Sequence, residues 1–212
     1  MARIGTNMKV EVESTLGAAI TASAITAANP PVVTASAHGL TTGDVVVGFF
    51  TAGMVELNGQ ACRVIVNSSS EFQLEGVEGV GYSAFTAGTF KEVTAWHTIS
   101  GAQSMTMPNP APQKIDVTTL IDKAKQYAYA LPDAPDGTIS GLYDPTNGGV
   151  AEIKTATKAN ESRVFRVTWA GAQITIFNAL VSGGSGFDLQ QNQAAKADIS
   201  FTPVKDVCDY AS

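Results

Sequence analysis

Charge is what this sequence lacks most: Asp, Glu, Lys and Arg make up 15% of its 212 residues, against about 25% in an average soluble domain. Much of the surface is therefore neutral, as suits a chain that meets other protein. The few charges lean acidic, 19 Asp and Glu against 13 Lys and Arg for a net of -6. No basic run stands ready to hold phosphates, which argues against specific nucleic-acid binding. Histidine is almost absent. A Ser-His-Asp or Cys-His arrangement would have to use His38 or His97, and neither has a supporting motif. His38 precedes Gly39 at a turn and His97 lies in the alternating run Trp96-His97-Thr98-Ile99, so both read as structural. Cys62 and Cys208 form no CxxC pair. They read as free thiols, Cys62 as a small buried hydrophobe in a Val/Ile run and Cys208 as a residue of the C-terminal tail.

Long hydrophobic runs are missing too. No stretch approaches the roughly 18 consecutive apolar residues of a membrane span, and Met1-Ala2-Arg3-Ile4-Gly5 lacks the apolar core of a signal peptide, so the expected site of synthesis is the cytoplasm. The sequence contains no GxSxG, no HExxH, no phosphate-binding GxxxxGKS/T loop and no EF-hand pattern, and the clusters Gly76-Val77-Glu78-Gly79-Val80-Gly81 and Gly183-Gly184-Ser185-Gly186 lack the strand and helix of a phosphate cradle. Neither an enzyme nor a cofactor or metal site is expected.

What is present is an apolar fraction of 44%, enough for a real core, arranged largely with period 2. In Met8-Lys9-Val10-Glu11-Val12-Glu13 apolar and charged residues fall on opposite faces of a strand, and further β-rich runs span 44–50, 61–67, 96–101, 115–119, 137–143, 163–169, 173–181 and 198–204. Asn58-Gly59, Asp136-Gly137 and Asn147-Gly148-Gly149 read as turns, because Gly and Asn tolerate positive φ. The expected class is all-β, a two-sheet sandwich or barrel. One helix interrupts it, at about 146–160, where Val150, Ile153 and Thr157 keep helical spacing, Asp144-Pro145 forms the turn leading in and Asn160 closes the end.

Residues 102–136 hold Pro108, Pro110, Pro112, Pro132 and Pro135 around a short β-like core and read as a long loop with a hairpin, a length that usually signals function. In that loop Ile115, Val117, Thr118, Leu120 and Ile121 form a segment too apolar to leave exposed, and they are the candidate assembly interface. Residues 28–90 read as an inserted module in a body made of 1–27 and 91–212. That block carries Arg63 against Asp44, Glu56, Glu71, Glu75 and Glu78, a net of -4.

Within the block, Val32-Val33-Thr34, His38-Gly39-Leu40-Thr41-Thr42-Gly43-Asp44-Val45-Val46, Gly53-Met54-Val55-Glu56-Leu57-Asn58-Gly59, Phe72-Gln73-Leu74 and Gly81-Tyr82-Ser83-Ala84-Phe85-Thr86-Ala87-Gly88 resemble a small β-barrel. That module looks like the first catalytic-cysteine half-domain fold named from ubiquitin-activating enzymes (FCCH), a likeness that implies a module recurring in virion proteins of tailed phages and no catalytic role for Cys62. Outside it, Gly5-Thr6 with the strand to Glu13, then Ile115-Asp116-Val117-Thr118-Thr119-Leu120, then Gly137-Thr138-Ile139-Ser140-Gly141-Leu142-Tyr143-Asp144-Pro145 before the lone helix, resemble the major tail tube protein of long non-contractile-tailed phages, the siphophages. That resemblance implies a β-sandwich flanked by one helix and assembled in the host cytoplasm as hexameric rings. The rings stack into the virion tail, with tape measure, terminator and distal tail proteins as further partners and genomic DNA passing through unbound. It also implies no membrane partner.

Other readings are a tail terminator or Hcp-like ring, or a carbohydrate-binding or adhesive β-domain with Trp96, Trp169 and Tyr143 as platform aromatics. For Trp169, between Val167-Thr168 and Ala170, core packing is the expectation.

Overall fold

The alternating start of the chain does form a strand, but the strand runs far past Glu13. A computed structural model describes residues 8–108, 112–121, 123–130, 135–191 and 193–211, and in it β1 spans Lys9–Thr21. It pairs antiparallel with β7 (Ala87–Thr98), with register shifts between Glu13 and Thr15, Thr15 and Leu16, and Leu16 and Ala19. Such bulges bend and twist a ribbon. Here they carry it from one core to another: Val10 and Val12 belong to one buried cluster, while Leu16 and Ile20 pack on the other. Each shift also breaks the two-residue period, which is why the alternation fades after Glu13.

Six further strands lead to and from that ribbon: β2 (Ala24–Ile25), β3 (Val32–Thr34), β4 (Val45–Ala52), β5 (Ala61–Ser68), β6 (Glu71–Glu75) and β8 (Ala102–Thr106). A separate two-stranded sheet joins β9 (Lys114–Asp116) to β10 (Tyr127–Tyr129). Then come β11 (Gly137–Leu142), the helix α1 (Gly148–Ala159), β12 (Ser162–Thr168), β13 (Ile174–Gly183), β14 (Lys196–Pro203) and β15 (Cys208–Tyr210). The large sheet is ordered β2-β3-β6-β5-β4-β7-β1-β12-β13-β14-β11-β8, with β15 on β13. Short connections return both ends of this path to the ribbon, since β2 directly follows β1 and β8 directly follows β7. At the β7–β8 corner, a Cβ added to Gly141 would lie 2.1 Å from the Gly101 carbonyl oxygen, an approach that glycine alone permits.

The protein is thus all-β in a sandwich arrangement, with one α-helix among the described residues. Its central strands β12 and β13 are covered on both faces: Val164 and Ile176 point into the first core, Phe165 and Phe177 into the second. The first core holds Phe50, Phe72 and Phe90 in edge-on contacts, with ring centroids 5.4 and 5.6 Å apart. The second stacks Phe165, Phe177 and Phe201 at 5.3 to 5.8 Å and is closed on one side by Ile153 and Ala156 of α1.

Several expectations change at this level. Residues 102–106 are a strand on the large sheet, because Met105 and Ala102 have apolar partners in the second core. Asp136-Gly137 opens β11 instead of turning: Gly137 lies where a Cβ would strike the Phe201 ring at 2.1 Å. Asn147-Gly148-Gly149 starts the helix. The Asn147 carboxamide oxygen accepts the Val150 N–H, and Gly148 allows the helix to sit against the His97 ring. Capping therefore falls to Asn147, while Asp144 accepts the Thr146 N–H and hydroxyl one step earlier. Asn160 closes the helix in the left-handed region at φ 54°, as expected. Cys208 is no loose tail residue but lies buried in the same cluster as Cys62, both as free thiols.

Residues 28–90 build most of the first core, and the C-terminal strand locks onto them. Tyr210 Oη accepts the Arg63 N–H at 2.8 Å and donates to the Glu75 carbonyl at 3.0 Å. Gln60 donates to the Asp206 carbonyl, and Asn178 to the Gly59 carbonyl.

One buried charge sits on the bend itself. Glu13 is 6% exposed; burial is the largest influence on its carboxyl and pushes it up to about 7, against the Val164 N–H and the Arg163 guanidinium. Between pH 4.5 and 7 the folded chain thus binds a proton that the unfolded chain has lost, so stability falls as pH rises through that window. Glu13→Gln keeps an acceptor for the Val164 N–H and removes the titration. It should leave stability unchanged near pH 4 and raise it at pH 8 by up to about 3 kcal/mol, read from denaturant midpoints at the two pH values.

Candidate assembly surface

The five interface candidates all fall on the β9–β10 hairpin. Its sequence alternates only briefly, and the strand ends at Asp116, short of the expected Thr119, for a local reason. The Asp116 carboxylate accepts both the N–H and the hydroxyl of Thr118, whose oxygen in turn accepts the Gln126 N–H. This side-chain turn competes with the ladder, and the same two donors hold the Asp116 carboxyl below its usual range.

Every described residue from Pro112 to Tyr129 is exposed. Ile115 and Val117 are about half exposed, Leu120 reaches 107% and Ile121 90%, so the hairpin stands clear of the body with its two most apolar side chains adjacent at the turn. Tyr127 and Tyr129 are exposed across from Asp116 and Lys114. Sequence reasoning passed over these tyrosines, although Tyr127-Ala128-Tyr129 carries the alternation that could have flagged them. Exposed apolar patches of this kind mark interaction sites. Leu142, Phe187 and Leu189 are also exposed, near where Asp188 and Leu142 both pair with Lys196 and Tyr143 stacks on Phe187 at 5.2 Å.

Nothing comparable gathers reactive groups. Among the described residues no three His, Cys, Asp or Glu side chains are placed to hold a metal ion. His38 is buried against Phe72; its Nδ1 accepts the Leu40 N–H, which leaves Nε2 to donate to the Ser68 carbonyl. Burial pushes the Cys62 thiol up, away from a nucleophilic thiolate. The aromatics considered as a sugar platform have separate surroundings: Trp96 packs on the first core beneath Arg166 at 4.3 Å, Trp169 packs on the second and donates its indole N–H to Thr175, and Tyr143 stacks on Phe187. The glycine clusters serve turns, with Gly76, Gly81, Gly183 and Gly184 all at positive φ.

A cleft of about 460 Å³ opens between the middle of β1, the start of β12 and the β4–β7 pair, with Glu13, Phe49, Lys91, Glu161 and Arg163 in its walls.

Compared with known families, residues 52–212 match the model described as phage tail tube protein, which spans most of both cores, the hairpin and the helix. No curated protein matches the chain.

Proposed function

The chain belongs to the phage tail tube protein family, and on that premise we propose that it builds the tube of a siphophage tail by stacking rings of six copies around a channel for the outgoing genome. The observation that carries the reading is the β9–β10 hairpin, a projecting segment with Leu120 and Ile121 bare at its turn in a chain whose two cores are otherwise closed. Water-exposed aliphatic side chains in such number are stable companions for a second copy and poor ones for solvent. A projection on one part of the surface that fits a different part of the next copy makes a head-to-tail contact, and such contacts build open stacks. The low charge suits wide contact between copies, and the net of -6 suits a channel that must not grip DNA. Tape measure, terminator and distal tail proteins would meet the ends of the stack, in a virion component assembled in the host cytoplasm.

Residues 28–90 are, on the same reading, a small β-barrel module directed outward, where its bulk and its net of -4 crowd no channel.

Electron microscopy tests the proposal. Purified, concentrated protein should give hollow tubes with a regular axial repeat in negative stain, and isolated rings without stacking would favour a terminator or Hcp-like ring instead. Tubes should show no measurable affinity for duplex DNA at physiological salt, since an acidic subunit offers no counterion release. Protein that stays monomeric when concentrated overturns the tube, and tight, salt-sensitive DNA binding overturns the conduit.

A further inference from the structure

Arg163 stands between two carboxylates of unequal burial. Its Nη1 donates to Glu161 at 3.0 Å and to the Ser162 carbonyl at 3.1 Å, while its Nε lies 3.8 Å from Glu13. Glu161 is largely exposed and Glu13 nearly enclosed. Glu161 also ends the helix: its N–H donates to the Ala156 carbonyl just past the Asn160 cap. The Arg163–Glu161 pair therefore ties the closing turn of α1 to the first residues of β12.

The other charges near Glu13 leave Arg163 as its counter-ion. Glu11, two residues earlier, is held between Lys9 at 2.6 Å and Arg166 at 2.8 Å. Lys91, on the β7 wall of the cleft, lies over the Phe49 ring at 5.2 Å. Glu152 of α1 and Glu161 add negative potential that disfavours a charge on Glu13. An enclosed carboxylate that ionises demands a partner far more than an exposed one does, and a guanidinium with several donors within reach of both can turn from one to the other.

We propose that Arg163 is a two-position clamp, holding Glu161 while Glu13 keeps its proton and turning to Glu13 when that proton is lost to solvent, so that the end of α1 is fastened while Glu13 is protonated and loosened once it ionises. The burial of Glu13 puts this change near neutral pH, within reach of ordinary changes in medium.

Hydrogen exchange read by mass spectrometry on the intact chain, corrected for the intrinsic effect of pH, tests this on the amides of residues 157–161. In the unaltered chain their protection should fall roughly two- to fivefold between pH 6 and pH 8, the size expected for release of an exposed ion pair. Glu13→Gln should hold the protected value at both pH values, and Glu161→Gln, which removes the outer partner, should show the unprotected value at both. Equal protection of the unaltered chain at pH 6 and pH 8, or the same fall in Glu13→Gln, overturns the clamp. Should Glu13→Gln not fold, Arg163→Gln is the second variant: without the cation neither carboxylate can be held as an ion pair, so persistence of the full pH-dependent fall in it overturns the clamp as well.

Discussion

Replacing Leu120 by aspartate should abolish tubes while leaving the melting temperature of the monomer unchanged. Leu120 is fully exposed on the hairpin, so the substitution removes no packing and buries no charge within the chain; surface changes of that kind stay within about 0.5 kcal/mol. In an assembled interface the same carboxylate loses its water without gaining a partner, at several kcal/mol per contact. Each 1.4 kcal/mol is tenfold in affinity, and the contact recurs at every subunit, so filaments should vanish at concentrations where the unaltered protein forms them. Negative-stain microscopy and a melting curve decide the matter together. A variant that unfolds as a monomer would place Leu120 in the intrasubunit core, and normal tubes would remove the hairpin from the assembly.

The second large effect is expected in the first core, at the C-terminal strand. Tyr210 is 4% exposed in the last described strand, its ring beneath the Arg63 guanidinium at 4.6 Å and its hydroxyl bonded to the backbone of both Arg63 and Glu75. Tyr210→Ala would open a cavity beside Cys62 and Cys208 and orphan an N–H and a carbonyl, with an expected loss of about 4 kcal/mol. Tyr210→Phe keeps the ring and should lose about 1 to 2 kcal/mol. Because β12 and β13 carry both cores on opposite faces, the loss should lower one cooperative transition in a denaturant titration. A separate early transition confined to residues 28–90 would instead mark that block as an independently melting module, which the module reading accommodates and a single shared unit does not.

How much of this was legible in the sequence follows from what period and composition can report. Alternation records the two environments of a strand locally, so the strands at 61–67, 137–143, 163–169 and 198–204 were readable to within a few residues of β5, β11, β12 and β14. The helix was readable from Val150, Ile153 and Thr157 at helical spacing and an Asn able to take a positive φ. The apolar segment at 115–121 was equally plain, since no tertiary information is needed to see aliphatic residues among prolines.

Position within the fold was a different matter. That Glu13 is buried, that the ribbon bends beside it, and that Arg163 reaches it from 150 residues away depend on bulges and on the closing of the sheet, which leave no periodic trace. Gly137 looked like a turn and proved to be clearance, as Gly141 did, because only the approach of Phe201 and Gly101 requires a missing Cβ there. Cys208 looked like a tail residue because a three-residue strand carries too few positions to show a period, and its burial, like that of Tyr210, is conferred by contacts with β5 and the end of β6 far back in the chain. Composition and local pattern determined an all-β chain, its helix and its sticky hairpin. Contacts between distant residues alone decided which of its polar and aromatic groups are enclosed, and hence which can respond to a proton or to a second copy.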